Sequence, residues 1–232
     1  TFRAAGDDGT GDRHVVDGRI VRDNVYGSIE EDAVRRDFTA NALYYAIDDF
    51  SVRDYVGGYD DVLNRRLRLI GDVESRYRED PVRMLRAVRL AAKLGFHIED
   101  HAWEAIAGLG PLLAEAAPAR LFDELLKLFM TGHALASFRW MEASGLLAVL
   151  MPSTAAAVDA TGGKVPRLIE AALASTDERI ADGRSVTPAF LLAALLWPEV
   201  TRLYQRELAA GHDPALAWTR AAAGAIRGQA QR

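Results

Sequence analysis

Apolar residues recur at helical spacing through almost all of the chain after residue 74, and glycine or proline interrupts them at intervals. Three dipeptides pair an N-cap residue with proline at the first helical position, and they are Asp80-Pro81, Thr187-Pro188 and Asp213-Pro214. Four glycines fall where the helical patterns end, namely Gly95, Gly132, Gly145 and Gly211. The pattern therefore predicts an α-helical array from residue 74 onward.

Between residues 19 and 73 the pattern is mixed, with one longer amphipathic segment among short alternating ones. The longer segment, residues 30–47, has helical spacing, and Ser28 is placed to cap it. Residues 4–18 are rich in Gly and Asp and are predicted to form a mobile loop. The predicted strands are Ile20-Val21, Ser51 to Tyr55, and Arg66 to Ile70. The fold class that follows is α+β, mainly α.

The 232 residues have a formal net charge of −5, five histidines and no cysteine. Without cysteine there are no disulfides and no Cys-containing zinc sites, and the histidines lack metal-ligand spacing. The longest apolar run, residues 189–197, is too short to cross a bilayer, and no secretory pattern opens the chain. We therefore expect a cytoplasmic protein with no membrane contact. The negative charge excludes a globally basic nucleic-acid coat, so any contact with RNA must come from a local patch.

The stretch from Arg76 to Gly95 predicts a helix with one cationic and one apolar face. Few acidic residues lie one turn away within this helix. The plain interpretation is a solvated charged face with Asp80 as its cap. The alternative is a nucleotide site, because an aspartate accepts from the exocyclic amine of a base while an arginine three residues later donates to the adjacent ring nitrogen. The cations that share the face are Arg83, Arg86, Arg89 and Lys93.

Two further polar clusters precede that helix. Asp37 and Asn41 lie about one turn apart in the predicted first helix, with Arg36 beside them, so the three can share a face. An ordinary amphipathic helix start with Asp37 in its first turn explains the same residues. The segment 53–61 contains Gly57-Gly58, which by itself marks a turn after a strand.

The order and separation of these clusters are specific. The successive segments RRDFTANAL, DYVGG with a following aspartate, and GDVESRYREDPVRMLRAVRLAAKLGF resemble the superfamily of class II tRNA nucleotidyltransferases and bacterial poly(A) polymerases. The resemblance covers roughly residues 1–150 and continues more faintly beyond them. Residues 78–83, REDPVR, resemble the poly(A) polymerase branch, because CCA-adding enzymes more often have an alanine-leucine pair there.

The resemblance implies an enzyme that adds AMP from ATP to RNA 3′ ends during polyadenylation, with two magnesium ions held by carboxylates. It also implies three domains. Residues 1–73 would form a partial nucleotidyltransferase head, residues 74–150 a helical neck with the nucleotide- and RNA-binding helix, and residues 151–232 a helical body.

The resemblance implies site residues by their position in the motifs. Asp37 would be the catalytic carboxylate. Asp80 and Arg83 would read adenine, and Arg86 and Arg89 would meet phosphates. Arg36 and Asn41 would lie along the bound nucleotide. The full set of nucleotide-binding residues is Arg36, Asn41, Asp80, Arg83, Arg86 and Arg89.

The family's Asp-x-Asp strand is missing, since no two aspartates in the chain are separated by a single residue. The glycine-rich motif that precedes the strand is missing as well. Asp7-Asp8 lies in a glycine-rich stretch and Asp72-Val73-Glu74 directly precedes the arginine helix, so neither replaces the pair. No metal ligand is assigned in the chain for this reason. The ends of the chain look cut, and we expect this piece to have no polymerase activity by itself.

Two other functions stay open. A CCA-adding or A-adding tRNA nucleotidyltransferase shares the chemistry and differs in its acceptor RNA. A non-catalytic RNA-binding helical protein is favoured by the missing strand and opposed by the intact RRDFT and EDPVR segments. The site assignment requires that the arginines after Pro81 face ATP rather than being locked in ion pairs. On that assignment, Arg83→Ala weakens ATP selection more than it disturbs folding.

Overall fold

The computed structural model describes residues 14–16, 19–22 and 27–230. The chain forms two compact units. The mixed unit comprises residues 1–73 and 96–102, and the helical unit comprises residues 74–95 and 103–232. The further division of the helical unit into a neck and a body at residue 150 stays a prediction.

Short strands in three two-stranded sheets make up the β-structure of the mixed unit, within the described residues. The strands are β1 (His14–Val16), β2 (Arg19–Arg22), β3 (Leu43–Ala46), β4 (Ser51–Asp54), β5 (Arg66–Leu67) and β6 (His97–Ile98). β1 pairs antiparallel with β2, β3 antiparallel with β4, and β5 parallel with β6. β6 departs from the helical array predicted after residue 74, because backbone hydrogen bonds from His97 to Arg65 and from Glu99 to Leu67 hold it to β5.

The three predicted strands are confirmed in place, with shorter bounds in two cases. Ile20-Val21 lies within β2, and β4 begins at Ser51 as predicted. The third segment forms β5 and then a single antiparallel bridge from Leu69 to Phe38. The predicted loop over residues 4–18 is wrong at β1, and its remaining residues, with Asp7-Asp8, lie outside the described ones.

The predicted helix over residues 30–47 is wrong in its second half. Helix α1 (Ile29–Arg35) is capped by Ser28 as expected, since the Ser28 hydroxyl accepts from the Glu31 amide and the Glu31 carboxylate accepts from the Ser28 amide. Beyond it the chain extends, passes through a 3-10 turn at Thr39–Asn41 and enters β3. Burial of Phe38, which is 1% exposed, decides against the helix, because its bridge to Leu69 places it in the core.

The mixed unit has one further helix, α2 (Gly58–Leu63), and the helical unit is built from the rest. These are α3 (Val73–Glu79), α4 (Val82–Leu94), α5 (Asp100–Leu109), α6 (Pro118–Phe129), α7 (Ala134–Ala143), α8 (Leu146–Leu150), α9 (Pro152–Ala160), α10 (Arg167–Ala181), α11 (Pro188–Ala209) and α12 (Pro214–Ala230). A 3-10 turn at Gly110–Glu115 follows α5. Over the stretch that the structure describes, every helix is too short or too polar to span a bilayer.

Two of the three predicted proline-marked helix starts are confirmed at the expected residue. The Asp213 carboxylate accepts from the amides of Ala215 and Leu216 at the start of α12. Pro188 begins α11, although the Thr187 side chain makes no capping bond. The predicted cap at Asp80 is wrong, because α4 begins at Val82 and the Asp80 side chain is directed to Arg120 instead.

Helix α4 has the two predicted faces. Its apolar residues Met84, Leu85 and Val88 are fully buried in the core of the helical unit, where α4 packs against α6 and α7. The helix ends at Gly95 as predicted, because this residue has a φ of +64° that glycine adopts without strain. The apolar face thus anchors α4 and fixes which way its arginines point.

Candidate functional site

Arg36 and Asn41 of the mixed unit are brought together, though not on the shared helix face that was predicted. Arg36 lies just past the end of α1 in extended conformation, and its Nη1 donates to the backbone carbonyl of Asn41 at 2.8 Å. Its Nη2 donates to Asp32 Oδ2 at 3.1 Å. Burial lowers the pKa of the Arg36 guanidinium, but the hydrogen bond to Asp32 and the nearby Tyr44 outweigh it, so the pKa is raised. Arg36 is therefore a held, permanently charged cation.

Asp37 lies on the segment that pairs with the end of β5. Its backbone carbonyl accepts from the Ile70 amide at 3.0 Å, and the next bond in this pairing runs from the Thr39 amide to the Arg68 carbonyl at 3.0 Å. The Asp37 side chain is partly buried. The extended backbone, not a helix, therefore fixes the position of the predicted catalytic carboxylate.

A buried carboxylate, Asp61, ties this segment to α2 and β5. It is 0% exposed, and its Oδ2 accepts from the Thr39 hydroxyl at 2.6 Å and from Arg68 Nε at 2.8 Å. Its Oδ1 accepts from Arg66 Nε at 2.6 Å. Burial by itself raises the pKa of Asp61, but the hydrogen bonds from Thr39, Arg66 and Arg68 outweigh it and lower the pKa. Asp61 is thus a charged centre that joins the RRDFT and DYVGG segments.

The turn predicted at Gly57-Gly58 is confirmed, and Asp54 organises it. Asp54 Oδ1 accepts from three successive amides at 2.9–3.0 Å, and Oδ2 accepts from the Tyr59 amide at 2.9 Å. Burial raises the pKa of Asp54, and these amide hydrogen bonds lower it by more. Gly58 then begins α2 so close to Thr39 that an added Cβ would lie 2.2 Å from the Thr39 carbonyl oxygen. The two motifs therefore fold as one piece.

The cationic face of α4 in the helical unit carries ion pairs, so Arg83 and Arg89 do not meet the requirement of the site assignment that these arginines are not locked in ion pairs. Arg83 is 8% exposed, and its Nη1 lies 2.6 Å from Glu79 Oε2. Arg89 Nε lies 2.5 Å from Glu124 Oε1 on α6. Arg86 Nη2 lies 3.8 Å from Asp80 Oδ2, and its Nε lies 4.0 Å from Glu124 Oε2. The simple alternative of a solvated face is wrong as well, because the face packs against α6.

Helix α6 supplies two partners of the predicted site residues that the sequence interpretation missed. Glu124 is 2% exposed and faces Arg86, Arg89 and Lys127. Arg120, one turn earlier, donates through Nη2 to Asp80 Oδ2 at 2.7 Å. Their i,i+4 spacing on an amphipathic helix was a usable signal, because a carboxylate on its apolar side indicates a buried partner.

Asp80 keeps one oxygen unused. Its Oδ2 accepts from Arg120, whereas Oδ1 is buried and makes no hydrogen bond with any described group. A buried carboxylate oxygen without a hydrogen-bond donor is costly to the fold. The base-reading role of Asp80 stays a prediction.

No group of three or more His, Cys, Asp or Glu side chains that could hold a metal ion occurs among residues 27–228, whose side chains the structure describes. Asp54 and Asp61 each accept hydrogen bonds in the separate networks described above, and Asp37 belongs to no group of this kind. Neither metal ligation nor a metal-dependent step can be assigned to these residues.

Two family models match the chain. Residues 4–68 match the "Poly A polymerase head domain", and residues 95–158 match the model described as "Probable RNA and SrmB- binding site of polymerase A". The first match contains the RRDFT segment and the Asp54–Asp61 turn, and the second contains α6 with Arg120 and Glu124. The Arg36–Asn41 segment and α6 thus fall within the two matched regions, whereas Asp80, Arg83, Arg86 and Arg89 lie between them.

Curated relatives and solved structures point the same way. Poly(A) polymerase I of Salmonella typhimurium is 47% identical over 190 residues, which is 82% of this chain and 41% of that protein. The CCA-adding enzyme of Leuconostoc mesenteroides is 43% identical over 107 residues, 46% of this chain and 26% of that protein. A solved tRNA-processing enzyme in an apo form has the same fold, with a TM-score of 0.53 at 20% identity, over 87% of this chain and 69% of that one.

The chain spans about two-fifths of the length of the curated poly(A) polymerases that it matches. The identity nevertheless extends through both units, and the two family models match the RRDFT segment, the Asp54–Asp61 turn and α6. The chain belongs to the bacterial poly(A) polymerase branch of the nucleotidyltransferase superfamily.

Proposed function

We propose that this chain is part of a template-independent RNA nucleotidyltransferase that transfers AMP from ATP to RNA 3′ ends. The observation that supports this most is the extent of the similarity, which covers 82% of the chain for the poly(A) polymerase of Salmonella typhimurium and 46% for the CCA-adding enzyme of Leuconostoc mesenteroides. The partners in this proposal are ATP and the 3′ end of an RNA, and a cytoplasmic location is part of it.

Transfer of AMP joins the RNA 3′ oxygen to the α-phosphorus of ATP and releases pyrophosphate. Asp37 is the proposed catalytic carboxylate, and Arg36 and Asn41 are proposed to lie along the nucleotide. A fixed cation such as Arg36 stabilises the negative charge of the phosphates without needing to reorganise. Its ties to Asp32 and to the Asn41 carbonyl support that role.

Asp80 and Arg83 are proposed to read adenine. Asp80 Oδ1, buried without a hydrogen bond to any described group, would accept from the exocyclic amine at position 6. Arg83 would donate to the adjacent ring nitrogen, while Glu79 and the Arg76 carbonyl, each within 2.8 Å of Arg83 Nη1, hold the guanidinium in place. Because Arg83 is buried, the premise that it contributes little to the core is wrong, and Arg83→Ala also destabilises the fold.

Arg86 and Arg89 are proposed to meet phosphates, and their ion pairs set a condition on this role. Arg89 must leave the 2.5 Å contact with Glu124, and Arg86 must leave its contacts of 3.8 Å with Asp80 and 4.0 Å with Glu124.

Two magnesium ions are proposed for the complete enzyme of this family. The described side chains form no group that could hold them. The two-metal chemistry needs a set of carboxylates around a common point, and residues 27–228 bring no such set together. We therefore expect the 232-residue chain by itself to incorporate no AMP into RNA. Labelled ATP and an unstructured RNA test this, and AMP incorporation by the purified chain would contradict it.

Asp80→Asn tests the base-reading role. The change replaces one acceptor oxygen with a donor, so we expect the preference of the chain for ATP over CTP to fall about tenfold. Calorimetric titration of the 232-residue chain with each nucleotide measures this. Asp123→Asn is the matched control, because Asp123 is exposed on α6 and the same change there leaves the preference unaltered.

The same titrations separate the competing functions. Equal affinity for ATP and CTP, together with tighter binding of a tRNA that lacks CCA than of an unstructured RNA, would favour a CCA-adding enzyme. Binding of RNA without binding of either nucleotide would favour a non-catalytic RNA-binding protein.

A further inference from the structure

Arg36 is held by two side chains to which no role has yet been given. Tyr44 Oη donates to Asp32 Oδ2 at 2.8 Å, and Arg36 Nε donates to Tyr44 Oη at 3.1 Å. The Arg36 Cζ also lies 4.9 Å from the centre of the Tyr44 ring, within the range of a cation–π contact. With the bond from Arg36 Nη2 to Asp32, the three side chains form a closed triangle of hydrogen bonds.

The triangle is anchored in the core of the mixed unit. The Tyr44 ring packs against a buried apolar cluster of Ala33, Ala42 and Ile70, and it makes an edge-on contact with Tyr55 at 6.1 Å. Asp32 lies on α1 and Tyr44 on β3, so two separate elements fix the guanidinium. The orientation of the Arg36 side chain is thereby fixed by its contacts with Asp32 and Tyr44.

The Arg36 side chain remains 43% exposed despite these contacts, whereas Asp32 is 19% exposed. An exposed pair of this kind adds little to stability, typically about 0–1 kcal/mol. A network that orders a cation and leaves it accessible is expected where the cation binds a ligand. Because the side chain is already ordered, binding loses less side-chain entropy.

We propose that Asp32 and Tyr44 are positioning residues that hold Arg36 in the orientation in which it meets the phosphates of ATP, an inference that rests on the proposed function of Arg36. The pair acts through Arg36 and does not touch the nucleotide. Its effect on ATP binding therefore disappears when Arg36 is removed.

The test is a double-mutant cycle in the 232-residue chain, with ATP affinity measured by calorimetric titration. Tyr44→Phe removes only the hydroxyl and is expected to weaken ATP binding about threefold. Arg36→Ala is expected to weaken it about tenfold or more, because a charge-assisted contact is lost. Adding Tyr44→Phe to Arg36→Ala is expected to cause no further loss.

Two further variants complete the design. Asp32→Asn keeps the shape of the side chain but removes the charge that draws Arg36, and it is expected to weaken ATP binding more than Tyr44→Phe does. Tyr45→Phe is the matched control, because Tyr45 is the next residue on β3 and is 62% exposed, and it is expected to leave ATP affinity unchanged.

The outcomes separate the two levels of the proposal. Absence of ATP binding by the unmodified chain, or an unchanged affinity in Arg36→Ala, would overturn the proposed nucleotide site itself. If Arg36→Ala weakens binding while Tyr44→Phe and Asp32→Asn do not, or if Tyr44→Phe has the same effect with and without Arg36, the positioning role alone is wrong.

Discussion

Gly58→Ala is expected to unfold the mixed unit while the helical unit stays folded. The new Cβ would lie 2.2 Å from the Thr39 carbonyl oxygen and 2.8 Å from the Thr39 carbonyl carbon. Both atoms belong to the backbone, so no side chain can move aside, and the cost is about 3 kcal/mol or more. Thr39 is also held in place by the Arg68 carbonyl and by Asp61, so moving it disrupts several interactions at once.

The distribution of aromatic residues allows the two units to be followed separately. All four tryptophans lie in the helical unit, at Trp103, Trp140, Trp197 and Trp218. Tryptophan fluorescence during urea unfolding therefore reports on the helical unit, and hydrogen exchange of peptides from residues 37–69 reports on the mixed unit. For Gly58→Ala we expect fast exchange in those peptides with an unchanged fluorescence transition.

Gly108→Ala is the matched control. Gly108 lies within α5, and no atom lies within 4 Å of the position of an added Cβ. Alanine there is expected to stabilise the helical unit by about 0.5–1 kcal/mol, because glycine is unfavourable inside a helix. Native-like hydrogen exchange of residues 37–69 in Gly58→Ala would show that the backbone at Thr39 can move to accommodate the new Cβ. The close approach of Gly58 to Thr39 would then not limit the stability of the mixed unit.

Local signals in the sequence were sufficient for much of the fold. Proline at the start of α11 and α12, glycine at the end of α4 and the Ser28 capping box each act within a few residues, so they can be recognised without tertiary structure. The predicted helix over residues 30–47 failed where a distant segment decides the outcome. Leu69 and Ile70 pair with the backbone near Phe38, and nothing within residues 30–47 indicates that pairing.

The candidate site shows the same division between local and distant information. Spacing correctly placed the arginines of α4 on the side opposite the buried Met84, Leu85 and Val88. Their partners could not be predicted in the same way, because Glu124 is 35 residues from Arg89 and Arg120 is 40 residues from Asp80. Which charges neutralise a helix face depends on which helix packs against it, and that requires the fold.

Asp61→Asn is expected to lower the stability of the mixed unit by about 2–3 kcal/mol near neutral pH. Removing one charge from a buried ion pair costs about 3–5 kcal/mol, and we expect less here because Arg66 and Arg68 remain 40% and 32% exposed and can turn towards water. Asp60→Asn is the control, since Asp60 is exposed on the same helix and the change costs a few tenths of a kcal/mol at most. The free energy of unfolding, measured from hydrogen exchange of residues 37–69, compares the two.

The effect of Asp61→Asn is also expected to depend on pH. Burial would raise the pKa of Asp61 in the folded chain, but the hydrogen bonds from Thr39, Arg66 and Arg68 outweigh burial and lower this pKa. A carboxyl group whose pKa is lower in the folded chain stabilises it fully above the unfolded pKa of about 3.9, and this contribution is lost as the pH falls through the folded pKa. The difference in unfolding free energy between the native chain and Asp61→Asn should therefore be constant from pH 7 to about pH 5 and shrink below pH 4. A difference that stays constant down to pH 3 would mean that Asp61 acts through its shape and hydrogen bonds and not through its charge.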